Sequence, residues 1–502
     1  MKPSELHPRL QDARQFLLAQ EFSRALPRYE RLTRDFPAVA VLWLEYGNVA
    51  SGLRNRKLAD EAWSKAIHLA PNNSELIGLV GHQYQALRQP QKARACFAQA
   101  AAADPKAINP RISLAVLLEQ QHQLGEARKA VEECLALDAS DDQARYFSAV
   151  LDRRENKLES AERRLRELLA SEPKHPYVRY ASRYELAQIL DRTEREDEAM
   201  TFLQQAKALV GELTDTDVLL EQYRKGADSA LQFTTKLPKD ILRSWGGAFP
   251  ESKREKSANL AFLGGHPRSG TTLLEQVLDA HPQVVAVDES GAFLKVLQPE
   301  FHRSKELSPA RLNTLRRLYL QALSEDADAV VDSKLLVDKN PSPTARLPLW
   351  LKVFPELRVL VALRDPRDVI LSCFFQNIPL NVTNVNFLRL ETLAQHYSDL
   401  MTIWLRVREW EGFSWLETRY ESMVHDLEKE GRRVTEFLGL NWDERQARFH
   451  ELSRKKQLYS PTYQDVTRPV YSRSVARWQA YEKHLAPIFP ALQPFCREFG
   501  YA

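Results

Sequence analysis

Nine consecutive residues, Gly264-Gly265-His266-Pro267-Arg268-Ser269-Gly270-Thr271-Thr272, gather the means to hold an anion. The short apolar run Ala258–Leu263 before them reads as a strand, and Leu273–His281 after them reads as a helix. A strand, a glycine-bearing loop and a helix start aim backbone N–H groups and the positive end of a helix dipole at one point. Arg268 adds charge there, and Ser269, Thr271 and Thr272 add hydroxyl donors. A second site follows the buried-strand pattern Arg358–Leu363. Arg364 at that strand's end and Ser372, about two turns into the next helix, could bracket a phosphate.

Ahead of these motifs the chain repeats itself. Alanine stands at 25, 59, 93, 127 and 161, a step of 34 residues. In phase with it are the large residues Tyr29, Trp63, Phe97, Val131 and Leu165, and the closing positions Pro37, Pro71, Pro105, Ala139 and Pro173. The small residues Ala13, Gly47, Gly81, Ala115 and Ala149 keep the same step. Each unit reads as two helices that approach at small residues, with a large apolar side chain filling the gap and a proline ending the pair. A sixth unit uses Ala199, with about four residues inserted near His175-Pro176. The pattern covers 1–211. Residues 212–255 mix helical stretches with Gly, Pro and charge and read as a connector.

Composition narrows the class. With 70 Lys+Arg against 67 Asp+Glu the formal charge is +3, which suits neither a general nucleic-acid binder nor a membrane-surface binder. An anion site must therefore be local. The four cysteines lack metal-ligand spacing and are too few for a disulfide framework, so a reducing compartment is expected, as in the cytoplasm. No window approaches the roughly 18 apolar residues of a membrane span.

The 34-residue pattern resembles the tetratricopeptide repeat family, which implies a superhelical array whose concave groove takes peptide segments or partner proteins. Gly265–Gly270 nearly matches the nucleoside-triphosphate P-loop, but Thr271 stands where that loop carries lysine. Pro267–Thr272 instead resembles the 5′-phosphosulfate loop of sulfotransferases that use 3′-phosphoadenosine 5′-phosphosulfate (PAPS), and the Arg364–Ser372 spacing matches their 3′-phosphate motif. The resemblance is closest to the tyrosylprotein sulfotransferases and their repeat-bearing relatives. It implies that Glu289, after Asp279-Ala280-His281-Pro282, is the general base. It implies that Lys339 stabilises charge on the sulfuryl group and leaving phosphate together with Arg268, with no metal. Tyr420 would contact the nucleotide, and Thr462, Arg468 and Arg477 would belong to a loop closing over it.

The expected fold is thus multidomain: an all-α repeat array, then over 256–502 an α/β P-loop-like domain with a central parallel sheet and PAPS at the carboxyl ends of its strands. The expected reaction is sulfuryl transfer to a hydroxyl, protein tyrosine first, with a protein or peptide acceptor recruited by the repeats. Two departures matter: Gly291 stands where the family has an arginine two residues after the base, which weakens acidic-peptide recognition, and Gln376 replaces an arginine after the 3′-phosphate serine, which thins that site. The rivals are a glycan or small-molecule hydroxyl as acceptor, a P-loop kinase, and an inactive repeat adaptor. The oligomeric state is left open, a homodimer included.

Overall fold

The 34-residue step becomes a stack of helix pairs. The computed structural model describes residues 6–254, 259–301, 307–327, 333–453, 470 and 472–501, and it divides into the units Met1–Ser182 and Arg183–Ala502. In the first unit Ala40–Gly52 pairs with Arg56–Leu69, Ser74–Ala86 with Pro90–Ala103, and Asp142–Arg154 with Leu158–Ala170. The in-phase alanines and large residues are fully buried, which is why they recur. Small residues are needed opposite them: a Cβ on Gly47 would sit 2.4 Å from Trp63, and one on Gly81 would sit 2.6 Å from Phe97.

A second feature keeps the same register. Gln20, Arg54, Arg88, His122 and Asn156, again 34 apart, turn each pair with φ between 56° and 62°. Glu194 (φ 56°) repeats the turn 38 residues after Asn156, matching the interval from Ala161 to Ala199. The inserted residues are absorbed as helix: Pro176–Arg192 has 17 residues where Ala40–Gly52 and Ser74–Ala86 have 13.

The second unit carries the expected parallel sheet. Its strands are β1 (Leu260–Gly265), β2 (Val284–Asp288), β3 (Leu335–Lys339), β4 (Arg358–Leu363) and β5 (Ser414–Arg419), in the order β2-β3-β1-β4-β5. All pairings are parallel, and the central strands β1, β3 and β4 are buried nearly throughout, whereas the edge strand β5 is partly exposed. Gly265 faces Ala362 across β1 and β4, and Asp288 faces Lys339 across β2 and β3. The carboxyl ends of these four strands therefore lie together, and with them the loop, Glu289, Lys339 and Arg364. Residues 216–236, inside the stretch that reads as a connector, form one 21-residue helix.

Candidate active site

The loop after β1 is shaped by glycines that admit no side chain. Gly265 (φ +126°) would place a Cβ 2.4 Å from the Ala362 carbonyl oxygen, and Gly270 (φ +92°) would place one 2.7 Å from the Tyr420 ring. Gly270 is the N-cap of the helix Thr271–Asp279 and supplies no side-chain cap, so that helix's first N–H groups are left to the loop. Asp365 instead caps its own helix, Pro366–Phe374, by accepting from the Arg367 N–H at 2.9 Å.

The two anion motifs meet. Arg268 Nε donates to Ser372 Oγ at 3.1 Å, and Arg364 donates to the Arg268 carbonyl at 3.2 Å. Arg364 is buried and lies 4.8 Å over the Tyr420 ring, and its Nε has no hydrogen-bond partner among the described residues. Its carboxylate neighbour Asp368 is 3.9 Å away, and burial pushes that carboxyl up to about 6 even though Arg364 pulls it down.

These groups border one cavity of about 850 Å³, lined by Pro267, Arg268, Gly270, Thr271, Thr272, Arg364, Ser372 and Tyr420, with Glu289 on the same cavity. Ser269 is buried behind the lining, its N–H donating to the His266 carbonyl at 3.1 Å. Glu289 sits at φ +47°, a conformation uncommon for a residue with a Cβ, and is held there by its N–H bond to the Lys339 carbonyl at 2.8 Å. Ser290 and Gly291 fasten the next residues to Asp326 at 2.8 and 3.2 Å. The Glu289 side chain stays half exposed.

Lys339 lies behind this corner and is not among the residues that border the cavity. Fully buried, it pairs with Asp288 and reaches Glu289 at 3.3 Å. Burial works to lower its pKa, but Asp288, Glu289 and Glu275 outweigh that and hold the ammonium above the ordinary lysine value. Its charge is directed at the carboxylates. Arg477 is also away from the cavity: it pairs with Asp191 at 2.7 Å and lies over the Phe375 ring. Thr462 and Arg468 lie outside the described residues. Among the described residues no His, Cys, Asp and Glu cluster has a metal-holding arrangement.

Asp279 and His281 shape the scaffold. Asp279 accepts from the Ala286 N–H at 3.0 Å, and His281 accepts from the Gln283 N–H while donating to the Asn441 carbonyl at 2.9 Å, which fixes the entry to β2. Two contributors to the cavity carry no motif. Tyr223, Gly226, Ala227 and Ala230 of the helix Thr216–Lys236 border it, as does His396 of the helix Leu390–Val407. The first group has the i, i+3, i+4, i+7 spacing of one helix face, a signal present in the sequence.

Comparison with known proteins places this geometry. Residues 261–444 match the sulfotransferase family, and residues 148–212 match the tetratricopeptide repeat. The chain thus carries a sulfotransferase-family domain behind tetratricopeptide repeats. An uncharacterized protein of Aquifex aeolicus is 28% identical over 63% of this chain, and the match spans 41% of that relative's length. Protein-tyrosine sulfotransferase A of Caenorhabditis elegans is 24% identical over 49% of this chain and 68% of its own. Protein-tyrosine sulfotransferase 2 of Gallus gallus is 24% identical over 48% and 71%. Among solved structures, the type IV pilus biogenesis factor PilW aligns at 18% identity and a TM-score of 0.34, over 41% of this chain and 94% of PilW. Among the described residues no helix is long and apolar enough to cross a membrane.

Proposed function

We propose that the second unit transfers a sulfuryl group from PAPS to an acceptor hydroxyl. The observation that carries this reading is the convergence of the two anion motifs, through the Arg268–Ser372 and Arg364–Arg268 contacts, on the cavity that Glu289 borders. When bound, PAPS supplies the sulfuryl group and leaves as adenosine 3′,5′-bisphosphate. Pro267–Thr272 and the N-terminal end of the helix Thr271–Asp279 would hold the 5′ end of the donor, and Arg364 with Ser372 the 3′-phosphate, beside Tyr420. Glu289 takes the proton of the acceptor hydroxyl as that oxygen bonds to sulfur. Lys339 positions Glu289 through their 3.3 Å contact, and Arg268 meets charge growing on the leaving side.

Protein tyrosine is the acceptor in the relatives' names, and a small hydroxyl compound is the second reading, favoured by Ala227, Ala230, Ile378, Val382 and Ile403 on the cavity. The buried thiols of Cys96, Cys134, Cys373 and Cys496 fit a cytoplasmic setting. Tetratricopeptide repeats suggest a protein contact. If they recruit the acceptor, the full chain has a much lower KM for a protein acceptor than for its free tyrosyl peptide, and equal values would remove that role.

Thermal unfolding with adenosine 3′,5′-bisphosphate, compared with ATP and Mg²⁺, tests the donor assignment. Stabilisation by the bisphosphate is expected, and stabilisation by ATP alone would contradict it.

A further inference from the structure

Part of the cavity wall has no role in that reaction. Ala227 and Ala230 of the helix Thr216–Lys236, together with Ile378, Val382 and Ile403, give it an apolar surface. His396 interrupts that surface. It is 3% exposed and ends a two-ring chain that starts at the phosphate loop.

The first member of the chain sets every hydrogen-bond role after it. The Pro267 carbonyl only accepts, so His266 Nδ1, 2.8 Å away, carries the hydrogen and donates. Burial lowers the His266 pKa to about 4, so the ring is neutral and its Nε2 accepts. His396 Nδ1, 2.8 Å from that nitrogen, therefore donates. Burial and the neighbouring His266 keep His396 neutral as well, which leaves its Nε2 a bare lone pair. That nitrogen has no protein partner among the described residues, on a ring that borders the cavity. Asp399, one turn further along, is already answered by Tyr223 Oη at 3.0 Å and Gln395 Nε2 at 2.7 Å. His396 Nε2 is thus an acceptor on this wall with no partner among the described residues.

We propose that this wall is the acceptor site, where His396 Nε2 accepts a hydrogen bond from a second O–H or N–H on a small, otherwise apolar hydroxyl compound. This rests on the sulfuryl-transfer reading and adds the acceptor class to it. One hydroxyl faces Glu289 and reacts, and the second donor orients the molecule. A site built around such an acceptor discriminates against a compound lacking the donor, because the buried lone pair is then left unanswered. The Asp399 carboxylate beside it works against an acidic peptide.

The full chain is assayed with PAPS and phenol, catechol, resorcinol or hydroquinone, beside an acidic tyrosyl peptide. At least one dihydroxy compound is expected to exceed phenol by about tenfold in kcat/KM, chiefly through KM. His396→Asn keeps an N–H for His266 and removes Nε2, so it should bring that ratio down to about the statistical twofold. His396→Phe should do the same, and stabilisation by adenosine 3′,5′-bisphosphate reports whether each variant is folded. A ratio that survives His396→Asn, equal use of phenol and all three dihydroxy compounds, or preference for the peptide over every phenol would overturn the proposal. So would a chain that the bisphosphate stabilises but that sulfates none of the phenols. Failure of the underlying reading looks different, with neither stabilisation by the bisphosphate nor turnover of any acceptor.

Discussion

In the repeat unit Asp152 is buried among Arg128 at 2.7 Å, Arg164 at 2.8 Å and Ser160 Oγ at 2.8 Å, whereas in the sheet unit Asp338 is buried against Tyr319 and beside Lys339. Burial pushes both carboxyls up. The partners of Asp152 outweigh that push and hold it below the ordinary aspartate value. Those of Asp338 do not, and it rises to about 7. The same contrast recurs elsewhere: Arg154 and Glu119 pair deep in the repeats at 2.5 Å, while Asp368, His266 and Lys207 of the sheet unit are shifted by burial that their neighbours fail to cancel. The repeats answer their charges locally, as a packing module can. The sheet unit holds buried groups shifted toward their neutral forms, and perturbed groups of that kind gather where chemistry is done.

The comparison can be broken first at Glu289. If the sheet unit's charges are machinery, Glu289→Gln lowers turnover by about 10²–10⁴-fold while stabilisation by adenosine 3′,5′-bisphosphate persists; near-normal turnover would remove the base. Gly265→Ala is next. It forces a Cβ onto a backbone carbonyl at positive φ, so a stability loss of about 1–3 kcal/mol is expected in thermal unfolding, with weakened bisphosphate binding. The repeat counterpart is Gly81→Ala, which presses on Phe97 and should cost a similar roughly 1–3 kcal/mol without changing bisphosphate affinity.

The remaining effects are in pH dependence, and they have opposite signs. Asp152 has a lowered pKa, so its stabilisation is present above the unfolded value near ~4 and is lost as pH falls through the folded one. Asp338 has a raised pKa, so stability declines as pH rises from about 4 toward about 7. Denaturant melts below about pH 4 should lose the first slope in Asp152→Asn, and melts from about pH 4 to about 7 should lose the second in Asp338→Asn. Slopes of the same sign would contradict the contrast.

How much of this is legible in the sequence depends on whether the partners are neighbours in the chain. The phosphate loop is one contiguous run, and the array announces itself by a fixed interval, so both are readable from residue order. The left-handed turns at Gln20, Arg54, Arg88, His122 and Asn156 are not readable, because no shared residue type marks them. The helix Thr216–Lys236 is hidden because the repeat period stops before it, although the spacing of Tyr223, Gly226, Ala227 and Ala230 was available. Lys339 reads as a charge facing the reaction, and only the pairing of β2 with β3 shows it turned toward Asp288 and Glu289. His266 and His396 are 130 residues apart, and nothing short of the fold brings them together.

The central claim is that this cavity moves sulfur from PAPS to oxygen. The direct measurement incubates the full chain with sulfur-35-labelled PAPS and a hydroxyl acceptor, beside Glu289→Gln as control. Label on the acceptor oxygen and an equal yield of adenosine 3′,5′-bisphosphate are expected, both collapsing in the variant. Bisphosphate binding with no label transferred to any hydroxyl, or equal transfer by the variant, would contradict the claim.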